Sequence, residues 1–177
     1  MVKIMSDLKK YIRSVADFPK PGILYYDITT LLQDPSGFNL AILEMEKYVK
    51  QHKPNKLVAI ESRGYLFAAV LAHRLGLPLV LVRKPGKLPH KTISEAYELE
   101  YGNNCLEIHL DAITAEDRVV IIDDLLATGG TVQATINLVE RLQGMVVGIC
   151  GLIGLSFLSF KQRLANYNVH YLIDYDV

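Results

Sequence analysis

RVVIIDDLLATGGT, residues 118–131, carries an apolar run, two acids and a glycine pair without a break. Its branched apolar residues Val119, Val120, Ile121 and Ile122 run into Asp123 and Asp124. Ala127, Thr128, Gly129, Gly130 and Thr131 then lead directly into the amphipathic run VQATINLVERLQ. The pattern predicts a buried strand, a tight loop and a helix start. Glycines let such a turn gather several backbone N–H groups, the threonines add hydroxyl donors, and the first helical turn brings unpaired N–H groups and positive dipole potential. That concavity suits a phosphate. Two carboxylates beside it would repel a lone phosphate, so they must serve something else, either by accepting hydrogen bonds from sugar hydroxyls or by helping to hold a divalent cation. Together the parts call for a sugar phosphate at the carboxyl end of a parallel strand, where open α/β sheets bind ligands.

This contiguous strand, acid pair and loop resembles the signature of the type I phosphoribosyltransferases, most closely the adenine phosphoribosyltransferases. The resemblance implies an α/β fold: a central, mostly parallel sheet flanked by helices, with a small base-binding hood. It also implies that Asp123 and Asp124 contact the ribose hydroxyls of phosphoribosyl pyrophosphate, and that Ala127, Thr128, Gly129, Gly130 and Thr131 hold its 5'-phosphate.

Working outward, strands and helices alternate. A strand LVAIE at 57–61 precedes Ser62, Arg63, Gly64 and an apolar helix reaching Arg74; after Gly76 comes a strand PLVLVR. Alternation of this kind predicts a mostly parallel sheet. Arg63 then stands at the same sheet edge as Asp123, where it can make charged hydrogen bonds to phosphate oxygens and Gly64 can let backbone approach a ligand. The family uses SRG in its pyrophosphate-binding region. The cations of RKPGKLP, residues 83–89, also follow a strand end; the segment resembles the family's RKxGKLP, which makes Arg83 and Lys87 candidates for the diphosphate.

Residues 95–101 and 104–110 read as extended arms joined at Gly102 and Asn103. In the family this region closes over the reacting groups. The motif YELEYG implies that Glu100 handles a proton on the purine and that Tyr101 moves with the mobile loop, residues 84–104.

Toward the start, Ser6 is placed to cap a helix with Leu8, Tyr11, Ile12 and Val15 on one face, ending before Pro19. FPKPGILYYDI, residues 18–28, reads as a shaped loop. It resembles the family's FPxPGxxxRDI, which brings Phe18, the backbone near Leu24, and Tyr26 to the base pocket within a hood segment, residues 1–34. Tyr26 replaces an arginine there. A second departure lies at the family's ELxxLxGR, where Gly154 replaces the acid and Phe160 stands near a glycine; the change either alters a base-edge contact or repacks the surface.

The chain of 177 residues is half hydrophobic, which fits one compact domain; the resemblance makes it a single phosphoribosyltransferase domain spanning 1–177. Lys plus Arg equals Asp plus Glu at 19 each, and tryptophan is absent, so composition gives no reason to expect nucleic acid as a partner. No apolar run reaches membrane-spanning length, and Cys105 and Cys150 form no metal-ligand pattern, which points to a cytoplasmic protein with packing thiols. No compact all-protein metal cage is visible; the Mg2+ implied by the resemblance is expected through substrate oxygens and water. The resulting expectation is transfer of the 5-phosphoribosyl group to adenine, giving AMP and pyrophosphate in purine salvage by a homodimer. The alternatives are a 6-oxopurine such as guanine or hypoxanthine as acceptor, or a regulatory protein that binds phosphoribosyl pyrophosphate without catalysis.

Overall fold

The computed structural model describes residues 8–98 and 103–176. Its elements run β1 (Arg13–Ala16), β2 (Leu24–Asp27), α1 (Thr29–Gln33), α2 (Pro35–His52), β3 (Lys56–Ile60), α3 (Gly64–Leu75), β4 (Leu79–Val82), β5 (Thr92–Glu98), β6 (Asn103–His109), β7 (Arg118–Leu126), α4 (Gly130–Arg141), β8 (Met145–Leu155), α5 (Phe160–Arg163) and β9 (Val169–Tyr175). Five strands form one sheet in the order β4-β3-β7-β8-β9, and every neighbouring pair is parallel. The expected α/β architecture is therefore present, with β7 at its centre.

Side-chain alternation along β7 divides the core. Val120 and Ile122 point into a cluster with residues of α2 and α3, such as Met45 and Phe67. Val119 and Ile121 point into another with Val132 and Ile136 of α4 and Leu106 and Ile108 of β6. A central parallel strand is covered on both faces, which is why its run is continuously apolar. Asp34 starts α2 by accepting a hydrogen bond from the Gly37 N–H at 2.8 Å, and Gly76 closes α3 in the left-handed region at φ +65°, as helix termini of these residue types do.

The amino-terminal expectation needs correction. Residues 8 and 9 are helical, but Arg13–Ala16 is a strand, antiparallel to Leu24–Asp27 with Arg13 opposite Asp27. Spacing at Leu8, Tyr11, Ile12 and Val15 suits a helix, yet strand pairing takes the backbone groups of its second half. The loop reading of 18–28 is likewise right only for its first part. Asp17 Oδ1 accepts from the Gly22 N–H at 2.7 Å and closes the turn, after which the chain returns as β2. This two-stranded sheet lies within the segment expected to form the hood. Strands β5 and β6 form the antiparallel arms, in register from Thr92 opposite His109 to Glu98 opposite Asn103. Glu100, Tyr101 and the expected joint at Gly102 lie outside the described residues.

Candidate active site

At the carboxyl ends of β3 and β7, whose Ala59 and Ile122 are register partners, a cleft of about 610 Å³ opens. Its walls come from residues 60–63, from 123–129 with Thr131 and Val132, and from Leu158. Asp123, Asp124, Arg63, Ala127, Thr128, Gly129 and Thr131 thus share one cavity, while Gly130 starts α4 immediately behind it.

Both acids are buried. Asp124 donates its backbone N–H to Asp123 Oδ1 at 2.9 Å, and Arg63 Nε lies 2.9 Å from Asp124 Oδ2. Burial pushes both carboxyls above their ordinary range. The charge of Asp124 pushes Asp123 up further, whereas the Arg63 guanidinium opposes the rise at Asp124. A buried acid pair beside one cation therefore holds a proton most firmly at Asp123. Hydroxyl donors of a sugar would stabilise the ionised form that burial disfavours.

Gly129 occupies the left-handed region at φ +79° and precedes α4 with no side-chain cap. The N–H groups of the first turn are thereby left for a ligand. A Cβ on Gly129 would lie 3.2 Å from both Cα and Cβ of Phe160 and 3.3 Å from Arg163 Cδ. Helix α5 therefore supports the 127–131 loop from behind, aided by a long Ser159 Oγ to Thr128 carbonyl contact of 3.5 Å. That support was not visible from sequence, because nothing in a four-residue helix marks the loop it touches.

Arg83 and Lys87 are joined to the cleft through Glu61. Glu61 Oε2 accepts from Arg83 Nε at 3.3 Å and from the Lys84 N–H at 2.9 Å, and Lys87 Nζ is 3.3 Å from Oε1. Arg83 Nη1 also donates to the Lys87 carbonyl at 3.0 Å. Burial pushes the Glu61 carboxyl up, but the Lys84 N–H and the two cations outweigh it and leave it below the ordinary carboxylate value. Glu61 is the organising residue missed in the sequence. Its signal was its place just before SRG at a strand end.

Gly64 also plays a different part from the one expected. A Cβ there would lie 2.9 Å from the Ile122 carbonyl and 3.1 Å from Asp123 Cα. The missing side chain lets α3 approach β7 and the acid pair; the close backbone approach is to protein.

Among the hood candidates, Phe18 and Leu24 are about half exposed, at 50% and 48%. Tyr26 is not at the cleft. It is 5% exposed and stacks on Tyr175 with ring centroids 3.8 Å apart. Alternation on β2 turns Tyr25 the other way, and its hydroxyl accepts from Arg63 Nη1 at 2.5 Å. Gly154 has an equally local explanation. A Cβ there would lie 2.7 Å from the Tyr171 ring, and Phe160 packs edge-on against that ring with centroids 5.5 Å apart. The paired departures repack one corner of the molecule. Both cysteines are free, with Cys150 buried.

No three His, Cys, Asp or Glu side chains converge as a metal site among the described residues. Among the described residues, no helix is long and apolar enough to cross a membrane.

Residues 29–166 match the phosphoribosyl transferase domain family. An adenine phosphoribosyltransferase of Solibacter usitatus is 51% identical over 172 residues, covering 97% of this chain and 99% of its own. The crystal structure of the adenine phosphoribosyltransferase from Thermoanaerobacter pseudethanolicus superposes with a TM-score of 0.93 at 48% identity, covering 97% of this chain and 99% of that one. The Saccharomyces cerevisiae adenine phosphoribosyltransferase, solved with adenine and an imino-altritol bisphosphate, gives 0.89 at 36% identity, with 97% and 99% covered.

Proposed function

The chain belongs to the phosphoribosyltransferase family, and from that premise we propose the route by which it transfers the 5-phosphoribosyl group of phosphoribosyl pyrophosphate to adenine, giving AMP and pyrophosphate. The observation that carries the route is the joining of a buried acid pair, a glycine loop at a helix start and Arg63 in one cleft. The backbone and hydroxyls of Thr128 and Thr131, with Ala127, Gly129 and Gly130, take the 5'-phosphate. Asp123 and Asp124 accept from the ribose hydroxyls. Arg63, Arg83 and Lys87 face the diphosphate.

Breaking the bond between C1' and the diphosphate leaves positive charge on the ribose ring and negative charge on the leaving group. Cations already fixed by Glu61 and Asp124 stabilise the second without reorganising at the moment of reaction. The acids beneath the ribose favour the first. Adenine attacks C1' through N9, and Glu100 either donates a proton at N7 or stabilises the protonated base. Phe18 and the backbone near Leu24 flank the base, and Tyr101 moves with the loop that excludes water. The magnesium expected with this substrate would be held mainly through substrate oxygens and water, and it would add neutralisation of the diphosphate to that supplied by Arg63, Arg83 and Lys87.

A homodimer in the cytoplasm, working in purine salvage, belongs to the same reading; light scattering at twice the monomer mass would support the dimer. Substrate choice is tested by pyrophosphate release with adenine, guanine, hypoxanthine and xanthine in turn. Release with adenine alone is expected. Preference for a 6-oxopurine would overturn the base assignment, and binding of phosphoribosyl pyrophosphate without turnover would indicate a sensor.

A further inference from the structure

Tyr25 belongs to the hood sheet, yet its hydroxyl reaches a residue of the main domain. Arg63 Nη1 donates to it at 2.5 Å, while Arg63 Nε lies 2.9 Å from Asp124 Oδ2. The guanidinium carbon is 5.6 Å from the centre of the Tyr25 ring. Phe18 packs edge-on against the same ring with centroids 5.0 Å apart. Arg63 is therefore held at two of its donor positions, on two separate sheets.

The carboxylate side of this arrangement is divided as well. Asp124 Oδ2 is shut off from solvent, and what meets it is the Arg63 ion pair, not a directed hydrogen bond. Arg63 thus takes one oxygen of Asp124, and the Asp123 carboxyl interacts with the Asp124 carboxyl beside it. Asp124 can keep Arg63 in place while the ribose is bound. The remaining guanidinium N–H groups are left for an anion.

We propose that Tyr25 is a positioning residue of the diphosphate subsite, acting through Arg63: its hydroxyl and Asp124 together pre-orient the guanidinium toward the leaving group. The inference rests on the functional reading above and adds to it a residue to which that reading gives no role. An unanchored arginine gives up rotamer freedom when it grips a phosphate, whereas one fixed beforehand has already done so. Loss of the hydroxyl should therefore weaken diphosphate binding and leave the base site unchanged. The phenyl ring retains its packing on Phe18, so Tyr25→Phe isolates the hydroxyl.

The test is isothermal titration of the full chain with magnesium pyrophosphate, together with steady-state kinetics. Tyr25→Phe is expected to weaken pyrophosphate by about fivefold, the size of a partly exposed charge-assisted hydrogen bond, and to raise KM for phosphoribosyl pyrophosphate by a similar factor. KM for adenine should move by less than about twofold. In an Arg63→Met background, the same Tyr25→Phe change should alter pyrophosphate affinity by less than about twofold, because its intermediary is gone. A purely structural role would shift the melting temperature and affect both backgrounds alike. Wild-type affinity in Tyr25→Phe, or an equal loss in both backgrounds, overturns the inference while leaving the functional reading intact. Failure of the wild-type protein both to bind pyrophosphate and to form AMP overturns the two together.

Discussion

Gly64→Ala tests whether the glycine of SRG serves the protein or the ligand. The added methyl would meet the Ile122 carbonyl at 2.9 Å, Asp123 Cα at 3.1 Å and Asp123 Oδ1 at 3.2 Å. Two of these are backbone atoms of the central strand, which has neighbours on both sides and cannot yield easily. The first turn of α3 must then move outward by a few tenths of an ångström. Overpacking of this kind costs about 1–3 kcal/mol. Greater helix propensity of alanine recovers at most about 1 kcal/mol, and less at the first helical position. A net loss of about 1–2 kcal/mol is expected. The same displacement carries Arg63 away from Asp124, so kcat/KM for phosphoribosyl pyrophosphate should fall at least about tenfold. Urea unfolding of the substrate-free protein measures the first effect, and initial rates measure the second. A glycine kept only for ligand approach would give a variant of wild-type stability and poor kinetics. Wild-type stability would therefore refute the packing argument whatever the kinetics show.

Asp123→Asn should raise the melting temperature at pH 7 while abolishing turnover. Because burial raises the carboxyl above its ordinary range, the folded state holds this proton more tightly than the unfolded chain; the stability tied to it is present below the ordinary carboxylate range and lost as pH climbs through the raised value. The advantage of asparagine should accordingly disappear in thermal melts below about pH 4, and a pH-independent difference would contradict the burial argument. Gly129→Ala should cost about 1–2 kcal/mol through its positive φ, plus the contact with Phe160, and should weaken AMP binding in titration. Unaltered AMP affinity would remove the loop from phosphate binding. Glu100→Leu should lower kcat with little change in stability; a normal kcat in a folded variant would exclude Glu100 from proton handling.

The central strand and its loop were legible because strand, acids and helix start are contiguous in 118–131, so local rules suffice. The parallel sheet followed from alternation of the same kind. The helix reading fails beyond Lys9 because a period near 3.6 at Leu8, Ile12 and Val15 says nothing about a strand eight residues further on that competes for the same backbone. Tyr26 was singled out by its place in a motif, but a two-residue strand period puts its neighbour Tyr25 at Arg63 and Tyr26 against Tyr175. Glu61 was overlooked as an organiser because its partners, Arg83 and Lys87, come from another strand end. Gly154 and Tyr171 show the same limitation: the absent side chain on β8 makes sense only beside the ring on β9.

The most direct test of the proposed mechanism is a crystal structure of the protein with phosphoribosyl pyrophosphate and magnesium bound. The 5'-phosphate is expected within about 3 Å of backbone N–H groups in 128–131, with ribose hydroxyls on Asp123 and Asp124 and diphosphate oxygens on Arg63. A sugar bound away from the acid pair, or a 5'-phosphate seated on Arg83 and Lys87, would contradict it.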